Sequence, residues 1–245
     1  MRDALILVTL HEGDIRYIDA KLRNLAKQDL RNSHIIFLNN LDHDKISVKI
    51  NEFIAAHRTL SLGYVIFTSP TTLYETWNYA IETYGEDYKY IINSNPDDLW
   101  HKDYLAKCIE TLNTYPEINI VTSKYYITDN PNQEEPWKNI IGEITPLYPL
   151  GTLGPSPMSR RGLFDTYGPY RTDLTVAGDA ELWERWRKAG VCQYKVIDQH
   201  MILYLTRGDS LERRRNQKGE LYTDIDSTLI NGPPRGKVIR ITRTK

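Results

Sequence analysis

The chain has 245 residues, enough for one sizeable α/β domain or two small ones, and its 40% hydrophobic and 26% charged residues exclude a disordered polypeptide. A formal net charge of −1 excludes a molecule built as a whole to neutralise a polyanion, so nucleic acid is not an expected partner. Two cysteines, Cys108 and Cys192, are too few for a disulfide framework, and no stretch approaches the roughly 18 apolar residues that a membrane span needs. The opening apolar run soon meets His11, Glu12 and Asp14 and is not read as a signal peptide. A soluble, cytoplasmic protein with reduced thiols is therefore expected, with membrane contact at most peripheral.

Ala4–Leu10 (ALILVTL) is continuously apolar and rich in β-branched residues, which predicts a strand buried on both faces of a parallel sheet. Ile18, Leu22, Leu25 and Ala26 carry helical spacing within Ile15–Leu30, and His34–Leu38 reads as a second strand closed by Asn39, Asn40 and Asp42. Strand, helix and strand in this order predict a βαβ unit. The alternation continues with a helix at Ile46–His57, a strand at Tyr64–Phe67, a helix at Thr72–Tyr84 and a strand at Tyr88–Ile92. Leu105–Leu112 reads as a helix and Ile118–Thr122 as a fifth strand, which together predict a doubly wound α/β half over residues 1–125. The rhythm then breaks. Asn130–Pro157 holds six of the 12 prolines and is read as a loop-rich acceptor region. A helix at Ala180–Ala189 and strands around Gln193–Ile197 and Ile202–Tyr204 follow, and a polar extension over 216–245 ends in the basic Arg235–Lys245. That tail is read as a solvated or disordered terminus, with contact to an anionic membrane as the alternative.

Three constellations carry chemistry. Asn93–Asp98 closes a hydrophobic strand with two adjacent carboxylates, at the kind of strand end where open α/β sheets bind ligands. Adjacent carboxylates suit a hard divalent cation completed by substrate phosphates, and the same Pro-Asp-Asp sequence also suits a helix cap. Asp179, in Gly178-Asp179-Ala180-Glu181-Leu182-Trp183, opens a helix whose N-terminus favours a charged carboxylate. It is either a general base for an acceptor hydroxyl or an ordinary acidic residue of a first helical turn. Arg207, in the turn-like Arg207-Gly208-Asp209-Ser210, is either a phosphate ligand or part of a solvated loop. There is no P-loop, no dinucleotide fingerprint and no Gly-x-Ser-x-Gly, and the six histidines show no metal-ligand spacing.

In order and setting these segments resemble the family 2 glycosyltransferases. Ile6–Leu10, with Thr9, looks like the family's opening nucleotide-binding strand. Thr76-Trp77-Asn78-Tyr79-Ala80-Ile81 looks like its Ala-Arg-Asn-x-Ala/Gly helix, and Tyr90–Trp100 (YIINSNPDDLW) looks like its Tyr-Ile-x-x-Leu-Asp-x-Asp-Asp-x-Trp stretch. Met158–Trp183 looks like its acceptor-side unit and Tyr204–Leu211 like its closing Tyr/Trp-Arg-x-His-x-Gly-Ser-Leu. The resemblance implies a GT-A fold over 1–215, with a Rossmann-like α/β/α sandwich around a mostly parallel mixed sheet. The nucleotide-sugar half would occupy 1–125 and the acceptor half 126–215.

It further implies inverting transfer of a sugar from a nucleoside-diphosphate donor to a glycan, lipid-linked or protein-linked acceptor. Asp97 would hold Mn²⁺ or Mg²⁺, Asp179 would act as base, and Thr9, Asn40, Asn78, Asn95 and Arg207 would attend the donor. Gly178, Glu181 and Trp183 would face the acceptor. The chain departs from the pattern at Asn95 for the first metal-motif Asp, at Asn39-Asn40 for the acidic pair, at Gly178 for Glu and at Arg207 for His. Those departures keep a degenerate, non-transferring binder as the rival reading. A nucleotidyltransferase is disfavoured by the acidic His11-Glu12-Gly13-Asp14 where a triphosphate grip would be basic.

Overall fold

Strand β1 (Arg2–Leu10) shows why both faces of the sheet are covered. Ala4, Ile6, Val8 and Leu10 enter one apolar cluster, while Leu5 and Leu7 enter another. Successive side chains of a strand point to opposite faces, so a strand covered on both sides needs unbroken apolar sequence. β2 (His34–Asn40) repeats the division, with Ile35 and Phe37 on the first face and Ile36 and Leu38 on the second. β3 (Leu62–Phe67) does the same with Tyr64 and Ile66 against Val65 and Phe67. The helices are α1 (Ile18–Ala26), α2 (Asp44–Ala56), α3 (Leu73–Tyr84), α4 (Tyr104–Thr114), α5 (Gly162–Tyr167) and α6 (Gly178–Lys188). Buried residues of α1, α2 and α4 fill the first cluster, and those of α3, α5 and α6 fill the second. The result is a three-layer α/β/α domain.

The computed structural model describes residues 1–41, 43–130, 132–174 and 176–206, and the backbone of 238–243. The remaining strands are β4 (Tyr88–Asn93), β5 (Leu99–Trp100), β6 (Ile120–Thr128), β7 (Ile140–Ile144), β8 (Met158–Arg160), β9 (Tyr194–Leu205) and β10 (Val238–Arg243). Their order across the sheet is β10-β3-β2-β1-β4-β8-β6-β9-β5, with β7 paired to β6. β3, β2, β1 and β4 are mutually parallel, whereas β8 joins β4 to β6 antiparallel to both. Chain order reverses direction between β1 and β4, which makes the crevice beyond their carboxyl ends the topological switch point. Ser94 N–H donates to the Leu7 carbonyl at 2.8 Å, so the turn after β4 starts beside the end of β1.

Several boundaries differ from the sequence reading. The first helix begins at Ile18 rather than Ile15, because Glu12–Arg16 forms a 3₁₀ turn closed by His11 N–H donating to Asp14 Oδ2 at 2.8 Å. The Pro-rich segment contains β7, an exposed edge strand whose side chains show no alternation for the sequence to reveal. Two predicted strands are one, β9, because Asp198-Gln199 and then Met201 are taken up as irregularities on either side of the His200–Lys124 pair. Residues 238–243, part of the tail read as a free terminus, pair antiparallel with β3 as β10. β6 crosses residue 125, so both halves contribute to one sheet.

Candidate active site

The turn Asn95–Asp98 lies at the switch point, and its two carboxylates have different surroundings. Asp97 is half-buried, while Asp98 is 1% exposed. Asp98 Oδ1 accepts from Leu205 N–H at 3.4 Å, and its Oδ2 accepts from Asn95 Nδ2 at 3.3 Å. Asp98 therefore ties the turn to the end of β9, which is a structural duty. Beneath it lies Lys21 of α1, fully buried, with Nζ donating to the Asp98 carbonyl at 2.7 Å and lying 5.0 Å from the Trp100 ring centroid. Burial pushes the Lys21 ammonium below the usual lysine range, against the pull of Asp98 and then Asp97. Burial, and next the Asp97 charge, push Asp98 upward, while Lys21 and the Leu205 N–H pull it down. The turn is thus a charge cluster of two carboxylates over one interior cation. Lys21 was missed in the sequence, although it stands three residues after Ile18 and so on the apolar face of α1.

Asp179 stands in the first turn of α6, and its Oδ1 accepts from Ala180 N–H at 2.9 Å. Its charge reaches the buried hydroxyls of Tyr74 and Tyr170, whose ionisation burial already opposes. Both tyrosines therefore stay neutral. Asp179, Asn95 and Trp183 line one recess, together with Asn93 at the end of β4 and with Tyr170. The structure thus brings three of the expected site residues together.

The other expected residues are engaged elsewhere. Thr9 is buried, with Oγ1 3.4 Å from Thr76 Oγ1, and so joins β1 to α3. Asn40 donates to the Thr71 carbonyl at 2.7 Å and accepts from its N–H at 3.3 Å, fixing the loop that enters α3. Asn78 does the same for Tyr170, at 2.7 and 2.9 Å. Glu181 pairs with Arg185, whose guanidinium in turn holds the carbonyls of Gly168 and Pro169. Arg207 lies outside the described residues. Among the described residues no three His, Cys, Asp or Glu side chains converge as a self-sufficient metal cage.

The sequence profile described as glycosyl transferase family 2 matches residues 5–170. The chain belongs to this family. A search of curated protein sequences gives no match. Among solved structures, the mannosyltransferase PcManGT of Pyrobaculum calidifontis, in complex with GDP-Man and Mn²⁺, is 16% identical with a TM-score of 0.64, over 89% of this chain and 63% of that one. TarS of S. aureus is 14% identical with a TM-score of 0.66, over 84% of this chain and 37% of that one. Residues 1–349 of TarS in complex with UDP-GlcNAc are 15% identical with a TM-score of 0.66, over 85% and 60%. The chain thus spans less than two thirds of these structures, and the likeness carries the GT-A fold.

The structure gives a reason for one departure from the family 2 pattern. Where the pattern has Glu, Gly178 packs against the face of Tyr74, and an added Cβ would lie 2.6 Å from Tyr74 Cε2 and Cζ. Gly178 N–H donates to Tyr74 Oη at 2.7 Å, so the tyrosine of α3 caps α6 across 104 residues of sequence. Ala177, at φ 58°, turns the chain into this cap. Gly178→Ala should therefore destabilise the domain by about 2–4 kcal/mol, through overpacking and a weakened cap bond. Chemical denaturation would measure this. Tyr74→Leu in the same chain should remove most of the clash, and an equal loss in both backgrounds would refute it.

Proposed function

We propose that the chain transfers a sugar from a nucleoside-diphosphate donor to an acceptor hydroxyl with inversion at the anomeric carbon. The observation supporting this reading is the shared recess of Asn95, from the carboxylate turn, and Asp179, from α6. Donor and acceptor must meet between those two elements in a single displacement. Asp179 accepts the proton of the attacking hydroxyl, which raises its nucleophilicity as the bond to the anomeric carbon forms. The leaving diphosphate departs on the opposite face, toward the Asn95–Asp98 turn. No enzyme nucleophile is required.

Asp97 is the residue to hold Mn²⁺ or Mg²⁺. The donor set fits a hard cation only when diphosphate oxygens complete it, because Asp98 is already engaged by Leu205 and Asn95. When bound, such an ion offsets negative charge on the leaving group. Asp98 and Lys21 hold the turn that presents Asp97. Asn40 and Asn78 act on the donor side by fixing the loop before α3 and the Tyr170 segment, and Thr9 by anchoring β1 to α3. Gly178, Glu181 and Trp183 shape the acceptor side, and Arg207 is assigned to the diphosphate. The acceptor is a glycan, free or linked to lipid or protein, and no helix among the described residues is long and apolar enough to cross a membrane.

A thermal-shift panel of UDP, GDP, TDP and CMP, with and without Mn²⁺, tests this reading. One diphosphate at a hundredfold excess over its Kd should raise Tm by roughly 5–10 °C. The shift should shrink without the metal. No shift with any of them would favour the non-transferring rival.

A further inference from the structure

Helix α6 meets the sheet through apolar side chains: Leu182, Trp183 and Trp186 share the second cluster with Leu5, Ile36 and Ile91. Apolar burial is non-directional, so it holds α6 on the sheet but leaves its exact placement to directed bonds. That placement matters, because α6 carries Asp179, and a displacement of about 1 Å at a reacting group can cost about 10²-fold in rate.

The directed bonds converge on Tyr170, which is buried. Its backbone is clamped from α3, where Asn78 Nδ2 donates to its carbonyl at 2.7 Å and its N–H donates to Asn78 Oδ1 at 2.9 Å. The carbonyls of the two residues before it, Gly168 and Pro169, accept from Arg185 of α6 at 3.1 and 2.8 Å. Its ring stacks on that of Tyr74, with centroids 5.7 Å apart and planes at 19°. Tyr74 Oη in turn accepts from the N–H of Gly178, the residue before Asp179, at 2.7 Å. The Tyr170 hydroxyl ties this assembly to the sheet, since Asn93 Nδ2 donates to its Oη at 2.9 Å. Asn93 ends β4, is in register with Leu7 of β1 and stands two positions before Asn95 of the carboxylate turn. One side chain thus joins the helix that carries Asp179 to the strand that carries the turn. Burial keeps its hydroxyl neutral, so what that hydroxyl supplies is the bond to Asn93 and not a second base.

We propose that Tyr170 is a positioning residue whose hydroxyl, held by Asn93, sets α6 and its Asp179 in register with the turn at the end of β4. The proposal rests on the transferase reading and adds to it the residue that aligns its two halves.

Tyr170→Phe keeps the ring and the backbone clamp and removes only the hydroxyl. Diphosphate release would be followed from UDP-glucose, UDP-GlcNAc and GDP-mannose, with methyl glycosides of glucose, galactose, mannose and N-acetylglucosamine as acceptors. The assays would run at a temperature where circular dichroism shows each chain fully folded. In the variant kcat should fall about 10–100-fold while the donor KM stays within about threefold of the parent's. Asn93→Ala removes the same bond from the strand side and should cost a similar factor. In that background Tyr170→Phe should cost less than about threefold more, because a shared bond is lost only once. Loss of an unrelated structural contact would instead multiply with the loss from Asn93→Ala. Were Tyr170→Phe not to fold, Asn93→Ala alone carries the test with the same expected split. Transfer by both single variants within about threefold of the parent overturns the proposal, as do losses that multiply in the double variant or a raised donor KM with kcat unchanged. With a parent that transfers sugar, any of those results sinks this proposal alone. A parent that turns over none of the three donors would sink the transferase reading and this proposal with it.

Discussion

Asp179→Asn should lower the rate of sugar transfer by roughly 10²–10⁴-fold while leaving the donor KM unchanged. The substitution is nearly isosteric. The asparagine oxygen can still accept from Ala180 N–H, as Asp179 Oδ1 does at 2.9 Å, so the first turn of α6 keeps its shape. What is lost is the capacity to take a proton in the transition state. The nearest hydroxyls cannot substitute, because burial keeps Tyr74 and Tyr170 protonated well above the ordinary tyrosine range. The donor would be held by the other side of the recess, so a split between kcat and KM separates this role from a structural one. An unchanged Tm would verify that folding is intact. Near-full transfer by the variant would mean that another group is the base.

The legibility of this protein follows the range of its interactions. β1 was readable because ALILVTL carries burial on both faces in consecutive letters, and the α/β alternation through residue 122 followed from similar local patterns. β7 was not, since an exposed edge strand among prolines has no periodic signal. Asn95 and Asp179 were singled out from local pattern and family resemblance, and their common recess depends on elements 84 residues apart in the chain. Gly178 appeared in the sequence only as a departure, because its reason is the ring of Tyr74. Asn78 looked like a donor ligand, yet its amide is committed to the Tyr170 backbone, a partner 92 residues away. Long-range pairing of this kind leaves no spacing to read. Residue type alone does not say which polar groups the fold itself consumes.

Lys21→Met should lower Tm by roughly 6–20 °C at neutral pH, the equivalent of about 3–5 kcal/mol for one partner removed from a buried charge pair. Methionine fills nearly the same volume, so packing in α1 changes little, but the Asp98 carbonyl loses its 2.7 Å donor and the buried carboxylate loses its nearest cation. The loss should depend on pH in a defined direction. Without Lys21, the folded pKa of Asp98 rises further above its unfolded value, because burial and Asp97 then act unopposed. The folded variant consequently binds a proton that the unfolded chain has released, and its stability falls as pH rises through that window. The Tm gap to the parent should be steady between about pH 5 and 7, where Asp98 stays protonated in both folded chains, and should widen between about pH 7 and 9, as Asp98 ionises in the parent alone around the value of about 8 to which it is pushed. Adding Asp98→Asn should recover part of the loss, since an amide needs no countercharge, and should flatten the pH dependence. A gap of constant size up to about pH 9 would show that Lys21 supports the turn through its hydrogen bond and packing rather than through its charge.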